Sequence, residues 1–429
     1  MQVNSYVELI CKDNQKLKGI LMPTKSKDYV FLKLDNGYNI GVEKKKIKEI
    51  KKIKEVKIKK PKLEKPKKNP KLKNILILHT GGTIASRVSY TTGGVIATFT
   101  PEDLLDMFPE LKELANIDSK LLFNIFSENM NFKYYQIIGK EIFKQAKKYD
   151  GIIVTHGTDT ICFTATALSF MLENLPIPVL LVGAQRSSDR PSSDAGMNLI
   201  CAAKFIANTD FKGVAICMHE TSSDEACLIM PPCKTKKLHT TRRDAFKVVN
   251  ALPYARVFYK KNKIEKLCDW PTHQGKFKLF DKFENKVAIL KCYPNMNAEI
   301  IKGFKGYKGL VLEGTGLGHM PIESGNEKNF KALKELISSG CVVVMTSQCI
   351  FGRTHMHVYS TGIKLKEAGV ISGEDMLTEI AYIKLAWLLG NYNLAETKNL
   401  IRKNLRGEIS ERILYDEEFL SLEWTFLSC

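Results

Sequence analysis

Several things are missing from this chain of 429 residues, and each absence closes off a class of function. No apolar run approaches the ~20 residues that span a bilayer, the longest lying around residues 177–184, so no membrane segment is expected. The opening Met1-Gln2-Val3-Asn4-Ser5 lacks the charged and apolar stretches of a secretory signal. Cys-x-x-Cys pairs are absent as well. The eleven cysteines are odd in number and scattered, many in apolar strings like those around Cys217 and Cys341. That pattern argues for buried, reduced thiols in the cytoplasm, and against a disulfide scaffold or a metal site. Neither a Gly-Lys-Ser/Thr phosphate loop nor a Gly-x-Gly-x-x-Gly fingerprint follows the first apolar strand, so this chain is expected to bind no nucleotide cofactor.

Acidic residues are also short, 46 against 65 basic ones, giving a net charge of +19. The excess is local. Residues 44–73 hold sixteen lysines against Glu49, Glu55 and Glu64, a charge of +13 that leaves only +6 elsewhere. Such a stretch attracts polyanions such as RNA through counterion release. It is equally a solvated, self-repelling tether, and the two readings are compatible. Pro61, Pro66 and Pro70 mark residues 56–73 as a linker. Ahead of it, residues 1–55 carry β-rich runs at Tyr6-Val7-Glu8-Leu9-Ile10, at 17–22 and at 29–34, with a hairpin signal at Asp35-Asn36-Gly37. Short strands at this density fit a small all-β barrel of the SH3-like or Sm-like kind.

From residue 74 the rhythm becomes strand, loop, helix. Asn74-Ile75-Leu76-Ile77-Leu78-His79, Gly151-Ile152-Ile153-Val154 and the apolar runs at 178–184 and 214–218 read as buried strands. Amphipathic or helix-like stretches lie between them at 133–149, 159–172 and 194–206, with another opening at Thr100-Pro101. The alternation predicts an α/β fold with a parallel, doubly wound sheet. A second set of strands at 287–292, 309–313 and 342–346, with helices near 329–338 and 379–389, predicts a second lobe. The lobes are placed at 74–280 and 287–415, and residues 258–286 read as a connecting segment.

Two Thr-Gly motifs follow the first two strands of the first lobe: Thr80-Gly81-Gly82-Thr83-Ile84-Ala85 and Thr155-His156-Gly157-Thr158-Asp159-Thr160. A hydroxyl at the C-terminal end of a strand, beside glycines that let backbone approach a ligand, is a usual place for chemistry in an α/β sheet. Two such motifs suggest a paired-threonine site.

Together with a lysine ahead of Leu238-His239-Thr240-Thr241-Arg242-Arg243-Asp244-Ala245-Phe246, these motifs resemble the L-asparaginase/glutaminase family over about residues 74–415. The resemblance implies an asparaginase-like domain of two lobes and amide hydrolysis by a threonine nucleophile. Thr83 matches the family's first catalytic threonine, and Tyr90, on the loop Ser89-Tyr90-Thr91-Thr92-Gly93-Gly94, matches the tyrosine that flanks it on a lid. Thr158, Asp159 and Lys237 match the second catalytic set, with Lys237 nine residues before Phe246. A lysine desolvated beside an aspartate can serve as a base. Lys234 and Lys236 are its decoys. Ser127 and Glu128, in Ser127-Glu128-Asn129-Met130, match the substrate-binding stretch, the serine for the α-carboxylate and Glu128 with Asp159 for the α-ammonium. His156 reads as a hydrogen-bonded scaffold residue. Gly183-Ala184-Gln185-Arg186 and Thr346-Ser347-Gln348-Cys349 read as structural turns.

The extra β unit and basic tether, with the Asp35–Gly41 stretch, the Thr-Thr-Arg-Arg-Asp-Ala-Phe segment and Val358-Tyr359-Ser360-Thr361-Gly362, are similar to the D subunits of archaeal glutamyl-tRNA(Gln) amidotransferases. That resemblance spans nearly the whole chain. It implies a glutaminase that feeds ammonia to a GatE-type partner subunit, which carries ATP and Mg and converts Glu-tRNA(Gln). It also implies a homodimer within a heterotetramer; nothing points to DNA or a membrane. One departure is Phe351-Gly352-Arg353-Thr354-His355-Met356-His357, where asparagines are more usual in that family than histidines. A stand-alone cytosolic asparaginase/glutaminase and a non-catalytic RNA-binding scaffold are the alternative readings.

Overall fold

The computed structural model describes residues 5–24, 26–36, 38–55, 68–82, 87–88, 95–96, 105, 107–186, 192–272 and 274–413. Thr83, Tyr90 with its loop, the Thr100-Pro101 helix start, most of the linker and the apolar terminus at 424–429 therefore lie outside the described residues. The chain divides into two compact units, one of residues 1–247 and 253–283, the other of residues 248–252 and 284–429.

The first unit opens with five antiparallel strands: β1 (Ser5–Cys11), β2 (Lys16–Met22), β3 (Tyr29–Leu34), β4 (Asn39–Glu43) and β5 (Ile47–Glu55). Their order is β4-β3-β2-β1-β5. Burial alternates along β1, with Val7, Leu9 and Cys11 inside, the period expected of a half-buried strand. One apolar cluster draws on all five strands, joining Val7, Leu9 and Leu32 to Leu17, Ile40 and Ile50, so the sheet wraps around a single small core. The lysine excess begins not on a tether but on a 3-10 turn, Lys44–Lys46, and continues on β5. Ile47 and Ile50 anchor that strand against β1, while Lys48, Lys51, Lys52 and Lys54 stand exposed on it.

The larger sheet of this unit contains β6 (Asn74–Gly81), β7 (Asn116–Ile125), β8 (Gly151–Thr155), β9 (Pro178–Val182), β10 (Gly213–His219), β11 (Ala226–Met230), β12 (Ala255–Phe258) and β13 (Ile264–Lys266). Its order is β13-β12-β11-β10-β9-β8-β6-β7. The five strands from β10 to β7 run parallel. Ile75, Leu76, Ile77 and Leu78 of β6 and all of β8 are buried, the continuous apolar run of strands covered on both faces. The expectation of a parallel sheet is corrected at one edge, where β11, β12 and β13 add in antiparallel fashion. The segment read as a connector thus supplies β13, and Lys278–Leu279 pairs with Leu172–Glu173. The helices of this unit include α1 (Phe132–Gln145), α2 (Ile161–Met171) and α3 (Ala195–Asn208).

The second unit has a parallel sheet of β14 (Val287–Lys291), β15 (Gly309–Gly314), β16 (Val342–Ser347) and β17 (Ile371–Ser372). Helices α4 (Glu327–Ser338) and α5 (Thr378–Asn391) belong to it. Within α5, Lys384 is fully buried and donates to Glu408 Oε1 at 2.7 Å and to the carbonyls of Ile401 and Lys403 at 2.9 and 2.5 Å. Glu408, equally buried, accepts the backbone N–H groups of Leu405 and Arg406 at 2.9 and 2.6 Å. In the histidine-bearing segment, Thr354 is fixed through its hydroxyl to Ser372 Oγ at 2.8 Å.

Ten cysteines are described, all free thiols; eight are buried, Cys268 is half-buried and Cys349 exposed. Among the described residues no helix is long and apolar enough to cross a membrane.

Candidate active site

The two Thr-Gly motifs leave neighbouring strands at the same level, because β6 and β8 are paired in parallel with His79 opposite Thr155. Side chains lock that juncture. Thr80 Oγ1 donates to Thr155 O at 2.8 Å, and His79 Nδ1 lies 3.0 Å from Thr155 Oγ1. Beyond the strands the loops touch through glycine. Gly82 has φ +80°, and a Cβ there would fall 2.5 Å from Gly157 N, so a side chain is excluded both by conformation and by contact. The described part of the first motif is thereby held against the residue preceding Thr158. Thr83 is one residue further on and outside the described residues.

Thr158 sits in the loop ahead of α2. Its Oγ1 accepts from Lys237 Nζ at 2.9 Å and donates to Gln185 Oε1 at 2.9 Å. The same ammonium donates to Asp159 Oδ1 at 2.7 Å. Lys237 is only 15% exposed and Asp159 66% exposed, so the pair straddles the surface, its cation inside and its carboxylate in water. Lys237 ends the short strand Thr235–Lys237, and the loop beyond closes with Leu238 N–H donating to Ala245 O at 2.7 Å. Of the two decoys, Lys234 is buried and Lys236 half-buried; the ammonium on Thr158 belongs to Lys237.

Ser127 lies on a 3-10 turn, Ser127–Asn129, after β7 and is 4% exposed. Thr160 Oγ1 donates to Ser127 O at 2.6 Å, and a Cβ on Gly157 would fall 2.8 Å from Ser127 Oγ. Ser127 is thus brought to the Thr158 loop. Glu128 is exposed on the same turn, with no hydrogen bond or ion pair among the described residues. His156 is fully buried, donating from Nδ1 to Gly157 O at 2.7 Å and accepting at Nε2 from Thr164 Oγ1 at 2.8 Å. Both its nitrogens are occupied by the scaffold.

The reading of Gln185 as part of a structural turn is corrected by the structure. This residue follows β9, beside β8, so its side chain reaches the Thr158 hydroxyl. No composition or spacing signal marks a lone glutamine after a strand. The one clue is Asp194 ahead of α3, which caps no helix N–H with its side chain but accepts the backbone N–H groups of Gln185 and Arg186, both at 2.9 Å. No group of His, Cys, Asp and Glu able to hold a metal is found among the described residues.

Burial also sets a pH dependence. It pushes His79 and His156 down to about 4, so both are neutral in the folded protein. The unfolded chain binds those protons near pH 6.5, so stability is complete above that pH and falls as the pH drops towards 4. At pH 5 the loss is roughly 2 kcal/mol for each histidine. Urea midpoints at pH near 7.5 and near 5 check this, and His156→Gln is expected to flatten the dependence.

Comparison with known proteins fits this geometry. The family model for Asparaginase, N-terminal matches residues 74–269, that for the Glutaminase/Asparaginase C-terminal domain matches 286–401, and that for the GatD N-terminal domain matches 1–53. The D subunit of the glutamyl-tRNA(Gln) amidotransferase from Pyrococcus furiosus is 48% identical over 424 residues, covering 96% of this chain and 95% of its own. Its counterpart from Archaeoglobus fulgidus is 46% identical and covers 93% of both chains. Among solved structures, the thermostable L-asparaginase from Thermococcus kodakarensis superposes with a TM-score of 0.72 at 30% identity, covering 79% of this chain and all of that one. L-asparaginase I from Vibrio cholerae gives 0.70, also at 30%, covering 79% of this chain and 99% of that one. With paired Thr-Gly loops, a lysine on Thr158 and an N-terminal β unit matched from end to end, the chain belongs to the asparaginase/glutaminase family and, within it, to the glutamyl-tRNA(Gln) amidotransferase D subunits.

Proposed function

We propose that this chain is the glutaminase subunit of a tRNA-dependent amidotransferase, releasing ammonia from glutamine for conversion of Glu-tRNA(Gln) to Gln-tRNA(Gln). The observation that carries the reading is the contact of Lys237 with both Thr158 and Asp159, in a chain that matches amidotransferase D subunits along nearly its whole length.

Amide hydrolysis needs a nucleophile, a base and a way to move one proton to the leaving nitrogen. A threonine hydroxyl is a weak nucleophile until a neighbour takes its proton. In this reading Thr83 attacks the side-chain amide carbon. Thr158 and Lys237 relay the hydroxyl proton to the departing nitrogen, which leaves as ammonia, and water then splits the acyl-enzyme ester to glutamate. Asp159 orients Lys237 and, with Glu128, faces the substrate ammonium, while Ser127 takes its carboxylate. Tyr90 closes over the nucleophile. ATP and Mg act on a GatE-type partner subunit. Two copies of each subunit form the cytoplasmic assembly.

Solved neighbours that are L-asparaginases favour a second reading, a stand-alone amidohydrolase. Purified chain is expected to hydrolyse glutamine weakly, with turnover rising when the partner and Glu-tRNA(Gln) are added. Thr83→Ala is expected to remove the activity; a variant that keeps it overturns the nucleophile assignment. Fast asparagine hydrolysis without a partner selects the second reading.

A further inference from the structure

We propose that Gln185 is a positioning residue for this site: its side-chain oxygen sets where the Thr158 hydroxyl points, and so whether that hydroxyl is turned to hand its proton to Lys237. The inference rests on the amide-hydrolase reading of the site and adds a residue to it.

In the ligand-free arrangement Thr158 Oγ1 is saturated in one sense only. It accepts from the Lys237 ammonium and directs its own proton to Gln185 Oε1. A base must be unprotonated, and a hydroxyl giving its proton to Lys237 must turn away from Gln185. The Gln185 oxygen therefore holds the hydroxyl in the orientation that accepts from Lys237, and hydrogen bonds linked in a row strengthen one another. Gln185 does not turn its amide round, because Nε2 donates to Arg242 O at 2.9 Å and a flip would set Oε1 against that carbonyl oxygen. Nor can its backbone drift. Asp194, fully buried, clamps its N–H at 2.9 Å and is itself held by Asn198 Nδ2 at 3.2 Å. Asn198 Oδ1 in turn accepts from His219 Nδ1 at 2.6 Å. The glutamine is thus fixed from behind by α3 and β10 and from the side by the Arg242 loop.

Charged groups among the described residues flank it. Asp159 faces Lys237, and Asp194 lies behind the Gln185 backbone. On the loop, Arg242 is paired bidentately with Asp244, and Arg243 with Asp224, which also neighbours His219. His156 is neutral and faces the scaffold. Among the described residues, the acceptor of the Thr158 hydroxyl proton is the uncharged oxygen of Gln185.

The test is the pH dependence of kcat/KM for glutamine, measured on the full chain with its partner subunit, for wild type, Gln185→Met and Gln185→Glu. Methionine removes the acceptor and glutamate replaces it with a charged one. Both give up the bond to Arg242, so that loss is common to the two variants. Expected is a limb for base deprotonation that moves down by about half a unit to one unit in Gln185→Met and moves up in Gln185→Glu, where a nearby anion favours the ammonium. A purely structural role lowers the rate of both variants and leaves the limb in place or moves it in one direction. Unmoved limbs, limbs moving the same way, or loss of all turnover in two folded variants overturns the proposal. Thermal melting reports folding; if the methionine variant does not fold, Gln185→Leu, which also removes the acceptor, takes its place. Lys237→Met and Thr158→Val are the controls. Full glutamine hydrolysis in either one refutes the amide-hydrolase assignment of the site itself, a failure separate from that of Gln185.

Discussion

Lys237→Met is expected to lower kcat/KM for glutamine by about 10²- to 10⁴-fold, the range for removing a positioned acid or base. Methionine keeps most of the aliphatic stem and removes only the ammonium, so Thr158 and Asp159 both lose their donor. Stability should change little. Asp159 is 66% exposed, so water takes over its carboxylate and no buried charge is stranded. The signature is a large kinetic defect at an almost unchanged melting temperature, read from glutamate or ammonia release beside a thermal melt. A variant that retains most of its turnover removes Lys237 from the mechanism.

Lys384→Met is expected to do the reverse, removing about 3–5 kcal/mol of stability from the second unit without touching the chemistry. Lys384 and Glu408 are both fully buried, and the ammonium also satisfies two main-chain carbonyls. Without it, the Glu408 carboxylate keeps, among the described residues, the N–H groups of Leu405 and Arg406 but no cation, a charge left unpaired in the interior. Neutralising the survivor separates the terms: the double variant Lys384→Met with Glu408→Gln should recover part of the loss, the coupling being a double-mutant cycle. Urea unfolding of the three variants measures it. A single-variant loss below about 1 kcal/mol contradicts the assignment of that pair as an anchor for the segment after α5.

The strands that hold the site were legible because burial on both faces writes itself as an unbroken apolar run, as in Ile75-Leu76-Ile77-Leu78. Strand β5 is written differently. Its anchoring isoleucines, Ile47 and Ile50, recur every third residue among lysines, because a bulge breaks its register with β1. Charge density then hid the strand behind the look of a tether. The antiparallel edge strands β12 and β13 were obscured by being only four and three residues long.

At the site, Thr158, Asp159 and Lys237 could be named because the motifs and the lysine spacing resemble a known family, and the structure brings those three into contact. Ser127 joins their loop through Thr160 and Gly157. Gln185 could not be found that way. What distinguishes it is a neighbour in space, since β9 lies beside β8 while 27 residues separate the glutamine from Thr158. Sheet order, which local periodicity does not encode, decides that encounter.

Among the described residues, the order β4-β3-β2-β1-β5 leaves β4 and β5 each paired on one side only. A bare border recruits a strand from any passing copy, the first step towards fibres. On β5 that border carries Lys48, Lys51, Lys52 and Lys54, and bringing a second such row alongside would oppose cation to cation. With Glu49 and Glu55 the only acids on that strand, the lysine excess is expected to keep the small sheet solitary, and trading lysines for neutral residues to open a route to self-association.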